Sequence, residues 1–202
     1  MTPWPRCTPR TQAALGLALC ALLAWPALRQ ALEASMWRHM VLQFPLLMGV
    51  GALLAAALPP RAHTVVSRWN AHGIAGLVLV AGVLAVLMVP RVLDLALREP
   101  AIEISKCAAL LGAGAALRLS WRAAGLVVQG FFLGNVLPMT AVVGQLYIDT
   151  PLRLCNAYLL DDQARLGQWL VGLAALLALG WLARVGWWTV RREGDAIAVK
   201  NA

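Results

Sequence analysis

The sequence predicts an all-α fold: a polytopic membrane helical bundle of about six transmembrane helices that forms one domain over residues 1–202. Three observations predict it. Hydrophobic residues make up 61% of the chain and charged residues only 13%, and the mean hydropathy is +0.73. The apolar residues also gather into segments of about 20 residues, the length of helix that crosses a bilayer. Soluble domains carry about 25% charged residues, so a soluble protein is not expected.

Six apolar segments are long enough, or nearly long enough, to span the membrane. They lie near residues 11–29, 37–58, 71–93, 101–120, 123–147 and 166–188. The first could instead be a signal peptide, because Arg6 and Arg10 precede its apolar run and small residues follow it around Ala31 and Ala34. Its removal would leave five spans.

Aromatic and basic residues mark the ends of these segments, as expected at membrane interfaces. Tryptophans near the ends are Trp37, Trp69, Trp121 and Trp169, and the last span closes with Trp187, Trp188, Arg191 and Arg192. Within the spans, Pro45 and Pro138 each remove a helical hydrogen bond. Kinks are therefore expected in the second and fifth spans.

Basic residues outnumber acidic ones by 17 to 9 and lie in short clusters between the apolar segments. This distribution is typical of the positive-inside rule, so the expected partner is the lipid bilayer and no nucleic acid. Nine basic and two acidic residues fall on the side shared by both termini, against seven and seven opposite, with Arg184 left out. We expect a multi-pass protein of a bacterial inner (cell) membrane with both termini cytoplasmic.

The stretch from Met36 to Pro45 sets soft and imidazole ligands at the outer end of the second span. On an α-helix, Met36, His39, Met40 and Gln43 fall at i, i+3, i+4 and i+7 and so share one stripe. Thioethers and imidazole together suit copper, and thioethers favour Cu(I). The stripe predicts a copper site. The alternative is that the methionines only pack helices while His39 lies hydrated among headgroups.

Two further candidate metal ligands, Cys107 and Met139, belong to the outer halves of spans four and five. Together with Met36, His39 and Met40 they would form one outer pocket. Each also has an ordinary interpretation, since methionine fills gaps between helices and a lone cysteine is usually a small buried hydrophobic residue.

The ionisable residues at the same level are functional candidates, because charge inside a bilayer is costly. Glu103 can pair with Lys106 at i, i+3 and lies beside Cys107 at i, i+4. Asp94 follows the third span. These groups, with Gln43, predict a polar site within the membrane, and the alternative is an ion pair that extends to the interface.

Soluble-enzyme motifs such as a Walker loop, GxSxG, HExxH or GxGxxG are absent from the sequence, so no enzyme activity is expected. The four cysteines, Cys7, Cys20, Cys107 and Cys155, form no CxxC pair. The sequence leaves open whether Cys107 and Cys155 form a disulfide.

The segment from Leu159 to Gly167, with Asp162 and Gln163 at its centre, resembles the region before the last helices of CtaG-like cytochrome c oxidase assembly factors. The stretch from Met36 to Pro45 is similar to that family's helix with His, Met and Gln. In the family pattern a second His follows the Gln directly, whereas Phe44 follows Gln43 here. From the residues themselves, Asp162 is also a candidate N-cap of the last helix.

The resemblance implies an inner-membrane accessory protein that assists cytochrome c oxidase assembly, by binding or delivering copper at the outer face. Its partners would be a haem-copper oxidase subunit or a copper chaperone. Two other hypotheses stay open. One is a small transporter or channel subunit with Asp94, Glu103 and Lys106 along a polar path, and the other is a structural accessory subunit of a membrane complex.

Overall fold

The computed structural model describes the backbone of residues 8–200 and the side chains of residues 8–191. All regular secondary structure in that part of the chain is helical, which confirms the predicted all-α class. Residues 1–7, including Arg6 and Cys7, lie outside the described residues.

The first apolar segment forms two helices, α1 (Pro9–Ala24) and α2 (Pro26–Glu33), which meet at an angle of 71°. Thr8 caps α1 by accepting a hydrogen bond from the backbone N–H of Thr11. The bend follows from Pro26, because proline disfavours the helical conformation of the residue before it and starts a new helix at its first position.

The second segment is one candidate span, Arg38–Ala57, built from three kinds of helix. It begins with a π-helical turn (Arg38–Gln43), continues as α3 (Phe44–Leu54) and ends in a 3₁₀ turn (Ala55–Ala57). The wide turn lies directly before Pro45. A proline ring clashes with the carbonyl four residues earlier, and an expanded turn relieves that clash.

The third segment is divided differently from the prediction. Helix α4 (Pro60–Trp69) lies at 85° to α5 (Ile74–Leu87), across a turn in which Gly73 adopts φ 69°. Helix α5 ends before the predicted boundary at residue 93, because Pro90 starts a separate short helix, α6 (Pro90–Arg98).

The remaining three helices are long. They are α7 (Pro100–Trp121), α8 (Gly125–Asp149) and α9 (Leu160–Lys200). Helix α8 continues as one element through Pro138. Four helices of the described chain are long and apolar enough to cross a membrane, and the number rises to six if each bent pair is one span. The protein is therefore a multi-pass membrane protein.

Two close helix contacts organise the bundle. Helix α3 packs along α7, where a Cβ on Gly51 would fall closer than 3.0 Å to the backbone of Leu111, and one on Gly114 would do the same to Met48. Helix α8 packs along α9 in the same manner at Gly144. Only glycine permits backbones to approach this closely. The π turn meets α9 at one end of the bundle, where Trp37 stacks on Trp169 at 6.0 Å.

Candidate functional site

The π turn directs the predicted stripe into the bundle. The exposed fractions are 0% for Met36 and His39, 6% for Met40 and 2% for Gln43. A π turn has a wider period than an α-helix, yet all four residues stay on the interior side. Single π turns occur frequently at functional sites, because the extra residue re-aims the side chains around it.

His39 is held at both ring nitrogens. Its Nδ1 lies 2.8 Å from the hydroxyl of Tyr158, and its Nε2 lies 2.7 Å from Nζ of Lys106. An ammonium group can only donate, so Nε2 accepts and Nδ1 carries the proton that it donates to Tyr158. The Tyr158 hydroxyl in turn donates to the carbonyl of Glu33 at 2.9 Å. These hydrogen bonds fix one tautomer of the histidine.

Lys106 is buried at 2% exposure and makes three polar contacts. Besides His39, it donates to Oε1 of Gln43 at 3.3 Å and lies 2.7 Å from Oε2 of Glu103. The predicted i, i+3 pair of Glu103 and Lys106 therefore forms, but the amine points into the bundle and does not extend to the interface. A buried ion pair is tolerated best when its other hydrogen-bonding positions are filled. His39 and Gln43 fill those of the lysine, whereas Oε2 of Glu103 makes no hydrogen bond beside its ion contact with Lys106 among the described residues.

The network reaches the surface through Glu33. Its carboxylate accepts a hydrogen bond from Nε2 of Gln43 at 3.4 Å and lies 3.6 Å from Nε of Arg29, whose side chain is 48% exposed. Sequence reasoning had assigned no role to Glu33. Since Glu33 and Gln43 belong to different helices, the pattern of a single helix gave no signal for the pair.

The chain between α8 and α9 covers His39 as a strap, defined here as residues 150–159. Asp94 fastens the strap, because its carboxylate accepts hydrogen bonds from the backbone N–H groups of Asn156 at 2.9 Å and Ala157 at 3.0 Å. It also accepts from Sγ of Cys155 at 3.1 Å. All of these partners belong to the strap, and the polar path along Asp94, Glu103 and Lys106 stays a prediction.

The electrostatics of the strap follow from this arrangement. Burial raises the pKa of Asp94, but the hydrogen bonds from Asn156, Cys155 and Ala157 outweigh burial and hold that pKa below its usual range. Burial, together with the hydrogen bond to Asp94, raises the pKa of the Cys155 thiol to about 12. Burial also raises the pKa of Tyr158, so its hydroxyl remains a donor at neutral pH.

Asp162 and Gln163, in the first turn of α9, contact the start of the second span and the strap respectively. Asp162 lies inside α9 and not at its N-cap, and it accepts hydrogen bonds at 2.8 Å from the Ser35 hydroxyl and the Met36 backbone N–H. It therefore caps the second span from another helix. Gln163 accepts from the N–H of Leu154 at 2.9 Å. Asp162 therefore positions the start of the second span, and Gln163 positions the strap.

The other predicted ligands are divided between two places. Cys107 packs against the cluster that contains Met36 and Met40, and its thiol donates to Oε1 of Glu103 at 3.4 Å. Met139 lies on α8, outside that cluster. Cys107 and Cys155 are both free thiols, so the disulfide is not formed.

The site has the donors that Cu(I) prefers but not an assembled coordination shell. The thioethers of Met36 and Met40, the thiol of Cys107 and the imidazole of His39 are soft or borderline ligands. Both nitrogens of His39 are occupied, however, and nowhere in the described part of the chain do three or more His, Cys, Asp or Glu gather as a metal-binding group. Metal binding would require Lys106 to move away.

These features define a multi-pass membrane protein with a buried polar site at one end of its bundle. No family model matches the chain, and no curated protein or solved structure matches it either.

Proposed function

We propose that the protein is a membrane accessory factor for cytochrome c oxidase assembly that receives Cu(I) at the His39 end of the bundle and passes it on. Copper is its cargo, and no catalytic turnover is involved. The environment would be a bacterial inner membrane with both termini in the cytoplasm. The observation that carries the proposal is a fully buried imidazole on the same buried stripe as two thioethers, with a lysine that competes for its Nε2.

The site is closed toward the opposite end, which favours binding and release at one face. Below the polar network, α3 and α7 are in backbone contact at Gly51 and Gly114. A polar route cannot pass between helices that approach so closely. This contact favours a site with one entrance, near Glu33, and disfavours a path through the membrane. The transporter hypothesis therefore has less support.

Lys106 provides a charge-balanced way to accept the ion. Cu(I) and the lysine ammonium each carry one positive charge, and both would be opposed by Glu103, which lies 2.7 Å from Lys106. If the ammonium of Lys106 moves out of the site as Cu(I) binds to His39, the net charge of the buried site does not change. A buried site tolerates exchange of a cation far better than addition of one.

The test is anaerobic Cu(I) loading of the purified full chain against a chromophoric Cu(I) chelator. The wild type should bind one Cu(I), and His39→Ala and the double variant Met36→Leu with Met40→Leu should lose it. His63→Ala is the matched control, because His63 belongs to α4 at the opposite end. Failure of the wild type to take up copper would refute the proposal, as would equal loss in the His63 variant.

A further inference from the structure

The end of the bundle opposite His39 contains a basic cavity of about 660 Å³ that no part of the proposed function uses. It lies where the 3₁₀ turn meets the last turn of α7. The cavity is lined by Ala55, Ala56, Leu58, His63, Arg118, Leu119, Arg122 and Ala123. It is separated from His39 by the length of the second span, about 25 Å at 1.5 Å per helical residue.

The basic residues at this end form no ion pair among residues 8–191, whose side chains the structure describes. The sequence contains no Asp or Glu between Glu33 and Asp94, and none between Glu103 and Asp149. Both ion pairs among the described residues lie at the His39 end, so neither involves Arg118 or Arg122. Both arginines are exposed and stand one helical turn apart, Arg118 in the last turn of α7 and Arg122 at its C-cap.

One arginine is already held in place. Nη1 of Arg118 donates to the backbone carbonyl of Ala52 at 3.0 Å, which orients the guanidinium across the end of α3. A guanidinium has five donors, so four remain for a ligand. Arg122 makes no hydrogen bond within the described residues and is free to close on the same ligand. Two forked donors one turn apart match the oxygens of a phosphate group.

Helix α4 places this cavity at the membrane surface. It lies at 85° to α5, none of its residues is buried, and Val65 and Trp69 expose 57% and 85% of their surface on one face. If α5 crosses the bilayer, α4 lies along the interface with that apolar face among the acyl chains. The neighbouring cavity is then at the depth of the lipid headgroups.

We propose that this cavity binds the phosphate of an anionic phospholipid, such as phosphatidylglycerol. Arg118 and Arg122 contact the phosphate oxygens, while Leu58 and Leu119 contact the beginning of the acyl chains. The proposal is independent of copper handling, because it concerns the other end of the bundle. Each arginine near an anionic headgroup contributes about fivefold to the binding constant, so the pair contributes about 25-fold.

The test is native mass spectrometry of the delipidated full chain in neutral detergent, titrated separately with phosphatidylglycerol and phosphatidylcholine. The wild type should bind one phosphatidylglycerol tightly, and Arg118→Gln with Arg122→Gln should bind it about 25-fold more weakly. The control is Arg91→Gln with Arg98→Gln, which removes the same charge from exposed positions on α6. Because Arg118 also contacts Ala52, the single variant Arg122→Gln is measured too and should lose about fivefold.

Three results would overturn the proposal. One is equal binding of phosphatidylcholine and phosphatidylglycerol by the wild type, and another is an equal loss in the α6 control. The third is full displacement of the lipid by millimolar inorganic phosphate, which would identify a site for free phosphate instead of a lipid.

Discussion

Replacement of Gly114 by alanine tests the helix contact that closes the site. The added Cβ would fall closer than 3.0 Å to the backbone of Met48, and backbone atoms cannot rotate away as a side chain can. Helices α3 and α7 must therefore separate locally by more than about 1 Å to restore an ordinary contact. A gap of that size forfeits about half or more of the dispersion energy at the contact, and forced overpacking costs about 1–3 kcal/mol. We expect a loss of about 3 kcal/mol, since the whole helix pair is displaced.

The measurement is reversible unfolding in mixed micelles with increasing mole fraction of dodecyl sulfate, followed by circular dichroism. Gly112→Ala is the matched control, because it lies on the same helix and its Cβ would meet nothing within 4 Å. Identical unfolding curves for the two variants would refute the close contact of α3 and α7.

Two further predictions concern the strap. Asp94→Asn should destabilise the protein by about 1–3 kcal/mol, because an amide cannot accept all the hydrogen bonds of the buried carboxylate. The control, Asp161→Asn at an exposed position, should have little effect in the same unfolding assay. Because the pKa of Asp94 is lowered in the folded protein, its contribution is present above the unfolded pKa of about 4 and is lost as the pH falls through the folded value. A wild-type stability that does not fall more steeply in acid than that of Asp94→Asn would contradict this assignment. The Cys155 thiol, with its pKa raised to about 12, should resist iodoacetamide at pH 8 in the folded protein. It should react once Asp94→Asn releases the strap, and peptide mass spectrometry measures the labelling. Rapid labelling of the folded wild type would contradict this prediction.

The sequence alone determined the class of the protein and the local features of its site. Hydropathy is a property of each segment, so the apolar spans were visible without knowledge of their packing. The stripe of Met36, His39, Met40 and Gln43 and the pair of Glu103 and Lys106 were visible for the same reason, since residues three or four apart on a helix are neighbours in any fold. The four residues of the stripe are indeed buried together.

Tertiary structure alone decided what these residues contact. His39 meets Lys106 across 67 positions of the chain and Tyr158 across 119, and no periodicity within a helix encodes such a pairing. The contacts of Asp94 with the strap could not be predicted either, because backbone N–H groups in an irregular segment have no sequence signature as donors. The closing of the site at Gly51 depends on which helix lies opposite, which is set by the packing of the whole bundle.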